Sequence, residues 1–289
     1  MIVITILLLT SGIYLWSYTG SEFSFSFINK KNPHLLSFEH VANYTAGITF
    51  FVAVAATNLF HQGNWQRVYA AKNNNILVKS LLISFFVIIP IVFFMGFCGL
   101  VAISVDPNVV PDLGFFSLLF KDQTEFLSLI IIILGLSLTI STVDTLVNAV
   151  SSLVVVDGKA TFNIKSKVNF LKLSKYFIII LSIIAFFIAS KGYSVLYLFL
   201  LADLFCCAFV LTVFYSFYNK KLKEKTAFAS ILIGLIGGFL LFPAPDFSKS
   251  LLVGVILPIE FFPIFVTQSL LFLSFVVATI LPVLIWKLR

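Results

Sequence analysis

Charge is what this chain has least of: only 11% of its 289 residues are Asp, Glu, Lys or Arg. Cysteine is nearly absent as well, with Cys98, Cys206 and Cys207 all inside apolar runs and none in a loop, which excludes a disulfide framework and suits small core hydrophobes. His34, His40 and His61 are the only histidines, and their spacing matches no metal-ligand pattern. No glycine-rich loop followed by lysine is present, so direct ATP drive is unsupported. Nor is a nucleophile with a positioned base visible, and no enzymatic activity is expected.

What is present is apolar. Hydrophobic residues make up 60% of the chain, Phe alone numbers 35, and the mean hydropathy is +1.10. Several runs reach the roughly 18 to 20 apolar residues that cross a bilayer as helix, and they do not alternate as barrel strands would. The reading is an all-α polytopic membrane protein of about eight spans, near 1–19, 44–60, 77–104, 124–156, 174–190, 193–217, 227–243 and 265–286, forming one transmembrane domain over 1–289. Residues 250–263 are apolar but short and carry Pro258 and Pro263, so they read as interfacial or re-entrant.

The net charge of +7 suggests a nucleic-acid partner only until the cations are placed. Fourteen of the 19 Lys and Arg fall in loops 61–79, 158–175, 218–226 and the C-terminal tail; Lys30, Lys31, Lys121, Lys191 and Lys249 fall on the other side. That is the positive-inside bias of a plasma (inner) membrane protein with both termini in the cytoplasm. The partner it implies is the lipid bilayer, not a nucleic acid. Trp16, Tyr14, Tyr18 and Trp286 sit at span ends as aromatic anchors.

Within the fourth span, Ser137, Ser141, Asp144, Thr145, Asn148, Ser151 and Ser152 share a helical stripe roughly 120° wide and about 22 Å long. A carboxylate such as Asp144 at that depth costs about 2.5 to 3.5 kcal/mol on the translocon scale. Either it is neutral and bonded to neighbouring spans, or with the hydroxyls of Ser141, Thr142 and Thr145 it binds a hard cation, which prefers several oxygens. A second polar segment, Ala55 to Asn73, ends span two. It holds Asn58, Gln66 and Arg67, and Arg67 is one of only two arginines against 17 lysines. A planar, multi-donor side chain used so sparingly points to an inner gate or a clamp between helix ends, against the alternative of a snorkelling flank. Asp203, about ten residues into span six, either lines the same cavity or pairs across helices. Gly96-x-x-Gly99 and Gly234, Gly237 and Gly238 read as close-packing surfaces, and Pro90 as a kink in span three.

The runs S-T-V-D-T-L-V-N-A-V-S-S-L-V-V-V-D and N-L-F-H-Q-G-N-W-Q-R-V-Y-A-A-K, the second preceding the first in the chain and separated from it by one Pro-bearing span, resemble the sodium:solute symporter family; so does Leu201-Ala202-Asp203-Leu204-Phe205-Cys206. The resemblance implies a partial leucine-transporter-type fold of inverted repeats with broken helices. Spans two to six would be core helices six to ten, and spans seven and eight peripheral. It implies sodium-coupled symport of a small solute, with sodium as the co-transported ion and no organic cofactor. Ser141 and Thr142 would be the paired hydroxyls of the main sodium site, with the Leu138 carbonyl a turn before. Asp144 and Thr145 would occupy second-sodium positions, where Asp144 departs from the usual hydroxyl and could take a proton instead. Asn58, Gln66, Arg67, Asn148 and Asp203 would line the gate or cavity; the substrate-binding residues are not assigned. Core helix one has no counterpart, so the chain is expected to be the C-terminal part of a longer symporter, with a separately encoded N-terminal part as a partner. The rival expectations are a proton-coupled symporter using Asp144 and a non-transporting membrane remnant or scaffold.

Overall fold

A computed structural model describes residues 13, 17, 22, 24–110, 113–120, 125–158, 169–219, 222–247, 250 and 269–287. The described residues are helical with no strand beyond an isolated bridge between Pro243 and Ser250. Among the described residues six helices are long and apolar enough to cross a membrane, or seven if a helix broken at His61 counts as one span. The fold is therefore an all-α polytopic one. The span expected over 1–19 and the segment 251–263 lie outside the described residues.

The helices, in chain order, are α1 (Phe25–Lys31), α2 (Pro33–Leu36), α3 (Val41–Phe60), α4 (Gln62–Tyr69), α5 (Asn74–Val105), α6 (Gly114–Phe120), α7 (Glu125–Ser152), α8 (Phe170–Ala189), α9 (Val195–Tyr218), α10 (Glu224–Leu241) and α11 (Leu270–Lys287). A π-helical turn, Leu153–Asp157, extends α7. Side chains start several of them: Ser24 Oγ accepts from Phe27 N, Asn73 Oδ1 from Ile76 N and Ser194 Oγ from Tyr197 N, each satisfying an amide with no partner inside its helix. Gly192 turns the chain between α8 and α9 at φ 68°, a left-handed conformation that glycine adopts without steric cost. The two loops read from sequence as non-spanning, 20–43 and 105–123, contain the short helices α1, α2 and α6.

The chain divides into two compact units. The first comprises 1–37 and 62–187, the second 38–61 and 188–289, so one boundary falls at His61 between α3 and α4.

In the first unit, α1 and α6 pack on α5, burying Ile28, Cys98, Val101, Ala102, Leu118 and Leu119. Asn32 Nδ2 donates to Ser104 Oγ (3.2 Å), fixing the end of α1 against the last turn of α5. α5 continues through Pro90, which removes one amide from its ladder; its 32 residues extend about 48 Å, more than the roughly 30 Å of hydrocarbon. A Cβ at Gly114 would touch Gly99 Cα and Ala102 Cβ, each at 3.4 Å, so α6 comes close to α5 at Gly99; among the described residues an added Cβ at Gly96 or at Gly99 would itself meet nothing within 4 Å.

In the second unit, α3, α9, α10 and α11 form a four-helix cluster with Leu200, Leu204, Cys207, Phe242, Phe275 and Ala278 at its centre. α10 meets α11 through glycine. A Cβ at Gly234 would collide with Pro282 Cγ and lie 2.7 Å from its Cδ, one at Gly237 would lie 2.9 Å from Val277 Cγ1, and one at Gly238 2.9 Å from Ala278 Cβ. The close-packing surface expected of these three residues is what the structure shows. Trp286 stacks on Tyr215 at 4.0 Å and 15°, with its Nε1 buried and unbonded. Its ring packs inside the unit as well as marking the end of a span.

Candidate functional site

The polar stripe lies on α7, where a helix of mostly straight-chain and β-branched apolar residues carries hydroxyls at i, i+3 and i+4 spacing. In apolar surroundings a hydroxyl hydrogen finds its nearest acceptor on the helix itself, the carbonyl one turn back. Ser137 Oγ donates to Ile133 O (2.8 Å), Thr139 Oγ1 to Gly135 O (2.9 Å), Thr142 Oγ1 to Leu138 O (3.0 Å) and Thr145 Oγ1 to Ser141 O (3.1 Å). The donor is used and each carbonyl also accepts the N–H four residues on, so a cation would share the carbonyl oxygen with its hydrogen bonds, while the hydroxyl lone pairs stay free. Thr142 Oγ1 and Leu138 O thus make a fixed pair of oxygens, and Thr145 Oγ1 with Ser141 O makes another one turn on. Both pairs are close enough for one hard cation, at about 2.4 Å from each oxygen, to touch both members.

Access to these oxygens is open. Ser141, Thr142, Asp144 and Asn148 are exposed, Thr145 is half-buried, and Leu138 is 45% exposed. The apolar side of α7 is also uncovered: Ile140 and Val143 are exposed, and Ala149 is the first buried residue along the stretch 135–149. The middle of the helix therefore presents both its faces.

Contacts accumulate at the far end of α7. Gln66 Nε2 on α4 donates to Ser152 Oγ at 2.7 Å, and Ser152 Oγ donates to Ala149 O at 2.8 Å. Ser151 Oγ donates to Ser174 Oγ of α8 at 3.4 Å, and Ser174 is buried. Gln66 thus ties α4 to α7, and its neighbour Arg67 is exposed. Asn58 Nδ2 donates to its own helix at Val54 O, 2.8 Å. Between the end of α7 and α8, Val150, Leu153, Val154, Phe170, Leu173 and Phe177 line an apolar cavity of about 530 Å³.

Asp203 belongs to the second unit. It is 5% exposed on α9, and Thr57 Oγ1 of α3 donates to its Oδ1 at 2.5 Å. The hydrogen bond joins α3 to α9. Sequence alone singles out neither Thr57 nor Ser174. Thr57 stands one residue before Asn58 in A-A-T-N, and nothing local distinguishes a threonine that bonds its own helix from one that reaches 146 residues along the chain.

Among the described residues no group of three or more His, Cys, Asp or Glu could hold a metal ion. What α7 provides instead is hydroxyl and carbonyl oxygen, with the Asp144 carboxylate on the same helix, the donor type that hard cations prefer.

The family model for the sodium:solute symporter family matches residues 3–234, which include α7, the segment after α3 and Asp203. No curated protein and no solved structure gives a match.

Proposed function

We propose, from the premise that this chain belongs to the sodium:solute symporter family, that it is the part of a sodium-coupled transporter carrying one wall of the sodium site. Membership makes it an integral membrane protein of a transporter family. Sodium coupling and a small solute as cargo are the finer reading. The observation that carries it is the pairing of Thr142 Oγ1 with Leu138 O, 3.0 Å apart and open to approach, beside exposed Ser141 and Asp144.

A sodium ion is stripped of water only if protein oxygens replace that water. The Leu138 carbonyl and the hydroxyls of Ser141 and Thr142 offer three such oxygens, with Asp144 and Thr145 supplying charge and a further hydroxyl one turn on. An ion held on one face of α7 stabilises whichever conformation completes its shell. The inward sodium gradient then biases that conformation, and the solute follows by alternating access. Gln66, bonded to Ser152, and Arg67 beside it are placed in the inner gate, with Asn148 on the cavity side; both termini face the cytoplasm.

The test is equilibrium binding of radiolabelled sodium to the purified full chain. Saturable binding that weakens about tenfold or more in Ser141→Ala and Thr145→Ala is expected. Absence of saturable binding, or affinities unchanged in both variants, overturns the reading.

A further inference from the structure

Among the described residues, Asp203 has no counter-charge beside it. It is the single ionisable acid or base of α9 apart from tyrosines and cysteines, and it is buried at the centre of the second unit. Three helices pack with α9. α3 contains no Asp, Glu, Lys, Arg or His; α10 has Glu224 and Lys225 as its first two residues; α11 has Lys287 as its last residue. Trp286 stacks on Tyr215, which places Lys287 at the far end of α9, about 18 Å along the helix from Asp203. Lys225 follows the short connection after Tyr218 and belongs to that same end. His61, one turn past Thr57 at the end of α3, has a buried Nδ1 with no partner and makes no bond to the carboxyl. The polar atoms around Asp203 are uncharged: Thr57 Oγ1 at 2.5 Å and, one turn along α9, the thiols Cys206 and Cys207.

We propose that Asp203 is a proton-binding site of this protein, carrying its proton at neutral pH and latching α3 to α9 through Thr57. An unpaired carboxylate among apolar helices is strongly disfavoured, and there are two ways to neutralise it. A metal ion is the poorer candidate. A hard cation needs more oxygens than one hydroxyl supplies, and neighbouring thiols prefer soft metals. A proton needs none of this. The neutral acid keeps Oδ1 as the acceptor of the Thr57 hydrogen bond and carries the hydrogen on its other oxygen. Losing that proton leaves a charge that only water or a rearrangement of α3 against α9 can relieve, so proton release and separation of the two helices are coupled. This site uses different residues from the sodium wall on α7 and does not rest on sodium coupling.

The experiment is infrared spectroscopy of the full chain in lipid at neutral pH, comparing wild type with variants in the region of the protonated-carboxyl C=O stretch. A band present in wild type, lost in Asp203→Asn, retained in Asp144→Asn and shifted in Thr57→Val is expected. His61→Gln should leave it unchanged. A spectrum with no such band in wild type, or a band untouched by both Asp203→Asn and Thr57→Val, overturns the proposal. So does a band that emerges only in His61→Gln, which would assign an ionised Asp203–His61 pair. If Asp203→Asn fails to fold, the wild-type band and its response to Thr57→Val still decide the matter. Loss of sodium binding would leave this result untouched, so the two proposals fail separately.

Discussion

A threonine in an apolar helix has a ready use for its hydroxyl hydrogen, the carbonyl one turn back, and α7 uses it at Thr139, Thr142 and Thr145 alike. The bond alone therefore does not set Thr142 apart from Thr139; its position beside Ser141 does. Thr142 stands beside Ser141 and the stripe, whereas Thr139 lies some 200° around the helix from Ser137. Valine matches threonine in shape, so Thr139→Val and Thr142→Val remove the same back-bond and should change helix stability equally. Only Thr142→Val should weaken sodium binding, by about tenfold, or about 1.4 kcal/mol. Equal sodium affinities for the two variants would remove Thr142 from the site. Asp203 makes the contrasting case at this scale. It and Asp144 are both aspartates within apolar runs, yet one is buried against a hydroxyl and the other is exposed. That difference comes from the elements around them and is not written in either local sequence.

Between elements, the second unit depends on glycine. α10 approaches α11 so closely that a methyl group at Gly234 meets the rigid ring of Pro282 and, at 3.0 Å, the backbone oxygen of Ala278. Neither can move cheaply. Gly234→Ala should therefore destabilise the protein by about 1 to 3 kcal/mol, read as a lower thermal unfolding midpoint in detergent. At Gly47 on α3 an added methyl group would have nothing within 4 Å, so Gly47→Ala should be neutral or stabilising, by up to about 1 kcal/mol. Matching effects for the two would show that helix propensity, not packing, governs. This scale also marks how far the sequence can be read. The helices are legible because the bilayer imposes a minimum apolar length, and α3, α5 and α7 to α11 begin and end within about five residues of the expected spans. The stripe on α7 is legible because helical periodicity is local. Helix pairing is not: Thr57 with Asp203, Gln66 with Ser152 and Asn32 with Ser104 are separated by 146, 86 and 72 residues, and hydropathy carries no information about which greasy surface meets which. The break at His61 is hidden for a related reason, since the residues around it, Phe60-His61-Gln62-Gly63, contain no proline to announce it.

For the whole molecule the decisive quantity is the sidedness of its loops, which the cation distribution sets. α5 offers the cleanest measurement, because it is long enough to cross the bilayer and its flanks, Lys72 and Asn108, are both exposed. Lys72 belongs to a basic loop and Asn108 to a loop whose described charge is Asp106, so the first should face the cytoplasm and the second the outside. The native thiols interfere little: Cys98 and Cys207 are fully buried, and Cys206, half-buried, can be replaced by alanine. In that background a membrane-impermeant maleimide should label Asn108→Cys in intact cells and Lys72→Cys only after permeabilisation. The reverse pattern would invert the topology and place Gln66 and Arg67 at an outer gate rather than an inner one. Labelling of both from outside would mean that α5 does not cross the bilayer. The stripe on α7, two helices further along the chain, would then lose the membrane depth on which its reading as an ion path depends.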